Sequence, residues 1–436
     1  MKLVTAEQFS TRRDAADYGD PETREAVKRI VERVRREGDA ALREFTERFD
    51  GVRIDDWRVP EAEVEEAYAR VSPEFLAALR RAADNIRAFH ERQRRGSWFE
   101  ARPDGSVVGQ LVRPLSRIGV YVPGGKAAYP SSVLMNVIPA RVAGVPEIVM
   151  ATPARTAGGP GGSGVDPHVL VAAAEAGVRE IYRIGGAQAI AALAYGTESI
   201  RRVDKIVGPG NLYVALAKRF VFGDVDVDQI AGPSEIAVLA DESADPAWVA
   251  ADLLSQAEHD EAAMPVLITP SDRLARAVSA EIERRLASLP RRPIAERSVR
   301  EQGVIVLVRD LHEGVDVLNR LAPEHAELLV ADPWTWLGRI ENAGAVFLGP
   351  YSPEPVGDYY AGPNHVLPTG GTARFSSPLG VDDFLKKTSV VFYGAAALRA
   401  CAGDVAVLAR TEGLEAHALA VETRFAAGDK GRSGGQ

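Results

Sequence analysis

The sequence is poor in cysteine, in long apolar runs and in export signals. Cys401 is the single cysteine among 436 residues, so no intrachain disulfide can form, which fits a reducing compartment. No apolar run approaches the roughly 18 residues that a membrane-spanning helix needs. The first residues lack the apolar core of a secretory signal peptide. We therefore predict a cytoplasmic protein that does not bind membranes.

Positive charge is also in the minority. The chain has 52 Lys and Arg against 61 Asp and Glu, a formal net charge of −9, which argues against nucleic acid or an anionic membrane as a partner. Its 46% hydrophobic and 26% charged residues are ordinary for a globular protein. The length allows two or three domains, each with a substantial core.

The dinucleotide fingerprint G-x-G-x-x-G is missing after every predicted strand. Short apolar strands from position 117 onward nevertheless end in turns rich in glycine or proline, at 122–125, 185–186 and 208–211. In parallel sheets such turns gather at the carboxyl ends of the strands, where ligands bind and glycine admits a phosphate. Tyr121, Gln188 and Asn211 are candidates to contact a dinucleotide there. Turn stabilisation is the alternative role for each of them.

Alternation of strand, turn and helix predicts an α/β fold with two parallel-sheet units and helical extensions. A helix over 24–51 follows from Val27, Ile30, Val31 and Val34 at helical spacing. The glycine-rich segment 152–165 predicts a flexible surface insertion without a function. The predicted segments are an N-terminal helical extension (1–23), a helical layer on the second α/β unit (24–115), the first α/β unit with the dinucleotide turns (116–233), the second α/β unit (234–380) and a C-terminal helical segment (381–436).

Two polar pairs are candidates for chemistry. Gln256 and His259 are three residues apart at the end of an apolar helix, so a continuing helix would place them on one face as half of a metal site. Glu324 and His325 precede a strand, where a carboxylate beside an imidazole suits proton transfer. The alternatives are a solvated helix end for the first pair and a structural role for the second.

Further donors lie toward the end of the chain. Asp358 stands in a long irregular segment, and His417 follows Glu412 at the entrance of the last helix. Gln256, His259, Asp358 and His417 would give mixed nitrogen and oxygen ligation suited to zinc, manganese or iron. Without cysteine this is not a structural zinc module. Spacing alone leaves open whether the four residues converge.

Nine short motifs occur in order over nearly the whole chain. They are GVYVPGG (119–125), GGAQAI (185–190), GPGN (208–211), AGPSE (231–235), LLSQAEH (253–259), APEHAE (322–327), GDY (357–359), GPNH (362–365) and EGLEAH (412–417). Each motif is short, but all nine in this order resemble the histidinol dehydrogenase family. The glycine-rich insertion at 152–165 is the one departure that we note.

The resemblance implies oxidation of L-histidinol to L-histidine, the last step of histidine biosynthesis, through an enzyme-held aldehyde and with two NAD reduced in sequence. Zinc would hold the substrate's imidazole and amino nitrogens without accepting hydride. It further implies a homodimer whose C-terminal segment crosses to the neighbour's site, and sheets like those of aldehyde dehydrogenases.

The resemblance also assigns residues by motif. It implies Glu324 and His325 as the acid/base pair and Tyr121, Gln188 and Asn211 as NAD contacts. The implied zinc ligands are Gln256, His259, Asp358 and His417. The implied substrate contacts are Ser234 and Glu412, together with His325 and the four zinc ligands.

Three other functions remain open at this point. A related NAD enzyme could oxidise another small alcohol, and a metal-dependent hydrolase could use the same ligands to activate water. Metal or ligand binding without catalysis is a third alternative, which the Glu324–His325 pair disfavours.

Overall fold

The computed structural model describes residues 1–9, 19–54, 56–124, 128–156 and 163–426. Part of the 152–165 insertion and the polar tail after Ala426 lie outside the described residues. The chain divides into two units. The first contains Met1–Arg94 and Leu115–Phe384, and the second contains Arg95–Pro114 and the chain from Leu385 onward.

In chain order the strands are β1 (Lys2–Thr5), β2 (Trp98–Ala101), β3 (Val107–Pro114), β4 (Arg117–Tyr121), β5 (Glu147–Ala151), β6 (Arg155–Thr156), β7 (Ser163–Gly164), β8 (Glu180–Tyr182), β9 (Lys205–Val207), β10 (Asp226–Val227), β11 (Glu235–Ala240), β12 (Met264–Thr269), β13 (Val304–Leu307), β14 (His325–Leu329), β15 (Ala345–Leu348) and β16 (Leu385–Phe392).

The helices are α1 (Pro21–Glu37), α2 (Asp39–Asp50), α3 (Glu61–Tyr68), α4 (Pro73–Glu91), α5 (Pro130–Ala143), α6 (Pro167–Glu175), α7 (Gly186–Tyr195), α8 (Leu212–Val221), α9 (Pro246–Ala257), α10 (Asp272–Leu286), α11 (Arg292–Glu301), α12 (Leu311–Leu321), α13 (Pro333–Leu337), α14 (Glu354–Val356), α15 (Ala395–Thr411) and α16 (Glu415–Ala426). A π-helical turn covers Gly357–Ala361, and 3-10 turns cover Thr372–Arg374 and Val381–Phe384.

The first unit contains two parallel sheets, as the alternating pattern predicts. One has the order β10-β9-β4-β5-β8 and the other the order β1-β13-β12-β11-β14-β15. Strands β4 and β11 are buried along their whole length, because helices cover both faces of such sheets. The α/β class with two parallel sheets is therefore confirmed.

The structure divides the single helix predicted over 24–51 into α1 and α2, which are separated at Gly38, where φ is 54°. The Asp20 side chain accepts a hydrogen bond from the Thr23 amide, and Pro21 occupies the first helical turn, which together favour a helix start. Its buried face consists of Val27, Ile30, Val31 and Val34, which join the core formed around the β4–β5 sheet.

Three predictions about secondary structure and packing differ from the structure. Residues 2–5 form an edge strand paired with β13, although a helical extension is predicted there. The helical layer packs on the sheet that contains β4 and β5, with α1 against α7 and α8 and with α4 against α5. From the sequence, we instead predict that it packs on the second α/β unit (234–380). Periodicity identifies the buried face of a helix but not the surface that covers it.

The third difference concerns the second unit. Residues 98–101 and 107–114 form β2 and β3, and β3 pairs antiparallel with β16 from Leu385 to Phe392. From the sequence, residues 98–114 and residues 385–392 are assigned to helical segments. Helices α15 and α16 of this unit lie in the segment predicted to be helical, and they pack together through Ala406, Ala409 and Ala418. Over the described residues, no helix is long and apolar enough to cross a membrane.

Candidate active site

The Glu324–His325 pair lies at the amino end of the β11–β14 part of the second sheet. Helix α12 ends at Ala322, whose φ of 50° is the left-handed region that an alanine rarely adopts. Pro323 then follows, and His325 is the first residue of β14. Because Ile236 of β11 pairs with His325, both side chains meet the peptide units of Glu235.

Glu235 holds both groups through its backbone. Its amide donates to Oε2 of Glu324 at 2.9 Å, and its carbonyl oxygen lies 2.9 Å from Nδ1 of His325. A carbonyl oxygen can only accept, so Nδ1 carries the proton and donates. In the neutral ring, Nε2 is then the basic nitrogen. Among the described residues Nε2 has no hydrogen-bond partner, and Oδ1 of Asp358 is 3.6 Å away.

Burial and charge set the protonation of this pair. Burial raises the pKa of the Glu324 carboxyl to about 7, against the opposing charge of His325. Burial lowers the pKa of His325, but the charges of Glu324 and Asp358 outweigh it and raise that pKa to about 10. Perturbed buried groups of this kind are typical of functional sites.

Asp358 lies in the π-helical turn that follows α14. Burial raises the pKa of its carboxyl, but the contact with His325 and the charge of His365 lower it below its usual range. The neighbouring Glu354 has a pKa raised to about 8 by burial and by the charge of Asp358. His325, Glu354 and Asp358 each offer one ligand atom within 4.8 Å of the others, so they could hold a metal ion.

Gln256 and His259 lie at the end of α9. The His259 amide donates to the Gln256 carbonyl, which extends the helical turn beyond Ala257. Gln256 is 1% exposed, and in the described part of the chain neither of its amide atoms has a hydrogen-bond partner. The ring of His259 reaches solvent, yet desolvation by the surrounding protein lowers its pKa, against the opposing charge of Asp358.

The predicted NAD residues follow strands of the first sheet. Tyr121 ends β4, and its hydroxyl oxygen accepts a hydrogen bond of 3.0 Å from the Gly186 amide; burial raises its pKa to about 12. Gln188 is buried in α7, and Nε2 of its amide lacks a hydrogen-bond partner among the described residues. Asn211 is exposed and caps α8 by accepting from the Tyr213 and Val214 amides.

The remaining predicted residues are more dispersed. Ser234 precedes β11 and is partly buried. Glu412 and His417 are exposed residues of the second unit, at the end of α15 and in α16. The structure thus brings together Glu324, His325 and Asp358 and places Gln256 and His259 on one turn. Convergence of Glu412 and His417 on the site stays a prediction.

Comparison with known proteins gives one consistent answer. Residues 12–425 match the family model described as histidinol dehydrogenase. A histidinol dehydrogenase of Heliobacterium mobile is 59% identical over 402 residues, which cover 92% of this chain and 93% of that protein. One from Bacillus subtilis is 57% identical over 428 residues, 97% of this chain and 99% of that protein.

A crystal structure of histidinol dehydrogenase from Elizabethkingia anophelis agrees. It has a TM-score of 0.90 and 34% identity, and the match covers 98% of this chain and 99% of that one. The chain belongs to the histidinol dehydrogenase family. The family and an oxidoreductase of histidine biosynthesis, both implied by the nine motifs, are confirmed. A hydrolase does not fit an oxidoreductase family.

The buried donors of this family member fit a metal with mixed ligands. Nε2 of His325, Nε2 of His365 and the Gln256 amide are polar atoms buried without hydrogen-bond partners in the described chain. Such groups are costly unless something binds them. Imidazole nitrogen, amide oxygen and carboxylate oxygen form a donor set that suits zinc.

Sequence reasoning missed several residues of the site. Glu235 acts through its backbone, which no side-chain pattern reveals, although it ends the AGPSE motif. Glu354 belongs to a proline-rich stretch and carries no periodic signal. His365 stands in the GPNH motif, but no role is predicted for it; its pKa is lowered by burial, against the charge of Asp358.

Gln256 offers a test of the metal site that does not depend on activity. Replacing Gln256 by Met removes an amide that is buried without hydrogen bonds. We expect the free energy of unfolding of the metal-free protein to rise by about 1 kcal/mol, and zinc bound per chain to fall. Urea unfolding in chelator and metal analysis after dialysis measure the two effects.

Asn364 provides the matched control for Gln256. Its buried amide donates to the Met135 carbonyl and accepts from the Val366 amide, so Asn364→Leu should lower the stability instead. If Gln256→Met destabilised the metal-free chain as Asn364→Leu does, the Gln256 amide would be a structural group.

Proposed function

We propose that the protein oxidises L-histidinol to L-histidine in two successive NAD-dependent steps through histidinaldehyde, with a zinc ion in its site. The observation that carries the chemistry is the Glu235 peptide, which holds a carboxyl and an imidazole side by side next to Asp358. An acid/base pair with a cation site beside it suits the removal of protons from an alcohol and then from a hydrated aldehyde.

Gln256, His259, Asp358 and His417 of a second copy would hold the zinc. Bound zinc would fix the imidazole and amino nitrogens of the substrate and offset the charge of Asp358. In the chain alone, Glu324 and Asp358 raise the pKa of His325, which keeps its proton on. Lowering the negative charge at Asp358 favours the neutral imidazole that a general base requires.

In the first oxidation His325 accepts the hydroxyl proton at Nε2 while hydride leaves the adjacent carbon for NAD. The Glu235 carbonyl keeps Nδ1 protonated and so directs Nε2 toward the substrate. A fixed base of this kind contributes through orientation, which can lower a barrier by several kcal/mol. The products of this step are histidinaldehyde and one NADH.

In the second oxidation water adds to the aldehyde and gives a gem-diol. Glu324, whose pKa of about 7 allows it to accept a proton near neutral pH, would activate this water. His325 then removes a hydroxyl proton as the second hydride leaves for a second NAD. The added water supplies the second oxygen of the carboxylate product. Ser234 and Glu412 would help to bind the substrate.

Tyr121, Gln188 and Asn211 would contact NAD at the carboxyl edge of the first sheet. The unpartnered Gln188 amide and the glycine turns support this position. The resemblance also implies sheets arranged as in aldehyde dehydrogenases, and this stays a prediction. We propose that the protein is located in the cytoplasm.

The stoichiometry of the reaction tests the proposed function. We expect two NADH for each L-histidinol consumed, measured by near-UV absorbance, and a loss of at least about a hundredfold in rate after chelation of the metal. Zinc should restore the rate. One NADH per substrate, or full activity in chelator, would contradict the proposal, and a panel of other small alcohols tests the alternative substrates.

Variants separate the two proton-transfer roles. His325→Asn should reduce the first oxidation by about a hundredfold or more, because general acid–base catalysis typically contributes that much. Glu324→Gln should slow mainly the second oxidation, so that histidinol yields one rapid NADH. Each half-reaction is measured separately by supplying histidinol or histidinaldehyde. Normal oxidation of histidinaldehyde by Glu324→Gln would show that the role assigned to Glu324 is wrong.

We further propose that the protein is a homodimer whose helical extensions form the interface, and that its second unit serves the neighbour's site. This unit leaves many apolar side chains exposed, among them Val391, Phe392, Val407 and Leu408. Apolar surfaces of this kind are typical of protein interfaces. A second copy bound there would cover them, and we propose that it supplies His417 to the neighbour's site.

Mixing inactive variants tests the shared site. His259→Ala alters the first unit and His417→Ala the second, so a mixed dimer would regain one intact site. After unfolding and refolding the two together, we expect about a quarter of the wild-type rate. The control mixes His259→Ala with Asp358→Ala, both in the first unit, and should stay inactive. Equal recovery in both mixtures, or none in either, would contradict a site shared between copies.

A further inference from the structure

A buried ion pair lies directly behind the Gly208–Asn211 turn. Nζ of Lys218 in α8 lies 2.6 Å from Oδ1 of Asp228, and the two side chains are 4% and 3% exposed. Removing two charges from water is costly, and only good geometry with additional hydrogen bonds offsets it. The groups that form hydrogen bonds with Lys218 and Asp228 therefore indicate the role of this ion pair.

Both members of the pair bind the same glycine. Lys218 donates to the Gly208 carbonyl oxygen at 2.5 Å, and Oδ2 of Asp228 accepts from the Gly208 amide at 2.7 Å. Gly208 has a φ of 113°, and a side chain there would collide with the Tyr121 carbonyl oxygen. The ion pair thus fixes the first residue of the turn in a conformation that only glycine readily adopts.

The same aspartate extends the contact toward the metal side of the site. Oδ1 of Asp228 accepts from the Gln229 amide at 2.7 Å, and Nε2 of Gln229 donates to the Leu367 carbonyl oxygen at 2.7 Å. Leu367 is two residues beyond His365, the last residue of the GPNH motif. A continuous set of hydrogen bonds therefore joins the turn after β9 to the segment after His365.

We propose that Lys218 and Asp228 are positioning residues that hold the Gly208–Asn211 turn in the shape that binds the dinucleotide. Through Gln229 they also keep this turn in place relative to the segment after His365. The inference rests on the proposed NAD-dependent function. Their side chains act on the site through backbone groups, so their loss should weaken NAD binding more than it slows the chemistry.

Lys205 gives a matched control, because it lies in β9, the strand that leads into the Gly208–Asn211 turn. It begins β9, at the end opposite Gly208, and is also a buried lysine, 6% exposed. Its Nζ lies 3.0 Å from Asp226 and 3.7 Å from Asp383. Replacing either lysine by Met leaves a carboxylate without its cation, but only Lys218 contacts the turn.

The experiment compares Lys218→Met with Lys205→Met in the full-length, zinc-loaded protein. NADH fluorescence titration without histidinol gives the Kd of the dinucleotide, and steady-state rates give kcat and KM. For Lys218→Met we expect the Kd for NADH and the KM for NAD to rise about tenfold or more, with kcat within about threefold of wild type. Lys205→Met should bind NADH as the wild type does.

Two results would overturn the inference. Unchanged NADH binding by folded Lys218→Met is one, and an equal rise of the Kd in Lys205→Met is the other, since both lysines would then act through stability alone. If Lys218→Met does not fold, Asp228→Asn decides in its place, with the same expected rise. Lys218→Arg, which keeps the charge, should recover part of the binding.

The same titration distinguishes failure of this inference from failure of the proposed function. A wild-type protein that binds neither NAD nor NADH would contradict the NAD-dependent reaction itself. A wild type that binds NADH, together with a Lys218→Met variant that binds it equally well, would contradict only the role of the ion pair.

Discussion

The geometry of the candidate active site depends on the two hydrogen bonds that the Glu235 backbone makes. Its amide binds the Glu324 carboxyl and its carbonyl fixes the tautomer of His325. The pairing of β11 with β14 brings these groups together, because Ile236 lies opposite His325. A shift of one residue in this register would turn every side chain of the strand to the opposite face. The core that buries β11 and β14 therefore also positions the Glu324–His325 pair.

Carboxyl groups outnumber cations around this pair. Behind Asp358 lie Glu354 and then Glu327, whose Oε1 accepts from the Glu354 amide at 2.8 Å. Burial raises the pKa of Glu327 well above its usual range, and it raises the pKa of its neighbour Asp252 to about 6. Buried like charges cannot all ionise, so protons stay on Glu354 and Glu327 near neutral pH. The negative charge then concentrates at Asp358, where a divalent cation gains most from it.

Local patterns in the sequence predict local structure well. The spacing of Val27, Ile30, Val31 and Val34 predicts the helical face of α1, because a helix brings together neighbours three and four residues apart. The pairing of β3 with β16 joins residues that are 271 to 285 positions apart, and no short-range pattern encodes it. Local patterns also fail to predict the edge strand at 2–5, because its partner is the distant strand β13.

In the site, too, local features are visible in the sequence and long-range contacts are not. Glu324 and His325 are adjacent, so their pairing is visible in the sequence, but the peptide that orients them comes from a strand 90 residues earlier. The first sheet presents its glycine turns at its carboxyl edge, whereas His325 and Glu235 begin their strands at the amino edge of the second sheet. A rule that looks only at the carboxyl ends of strands locates the glycine turns that we propose for NAD and overlooks the Glu324–His325 pair. Hydrogen bonds from Gly208 through Asp228 and Gln229 to Leu367 join the turn after β9 to the segment after His365, and each of these bonds involves a backbone group. Residues that act on the backbone in this way carry no motif of their own, so three-dimensional contacts are needed to recognise them.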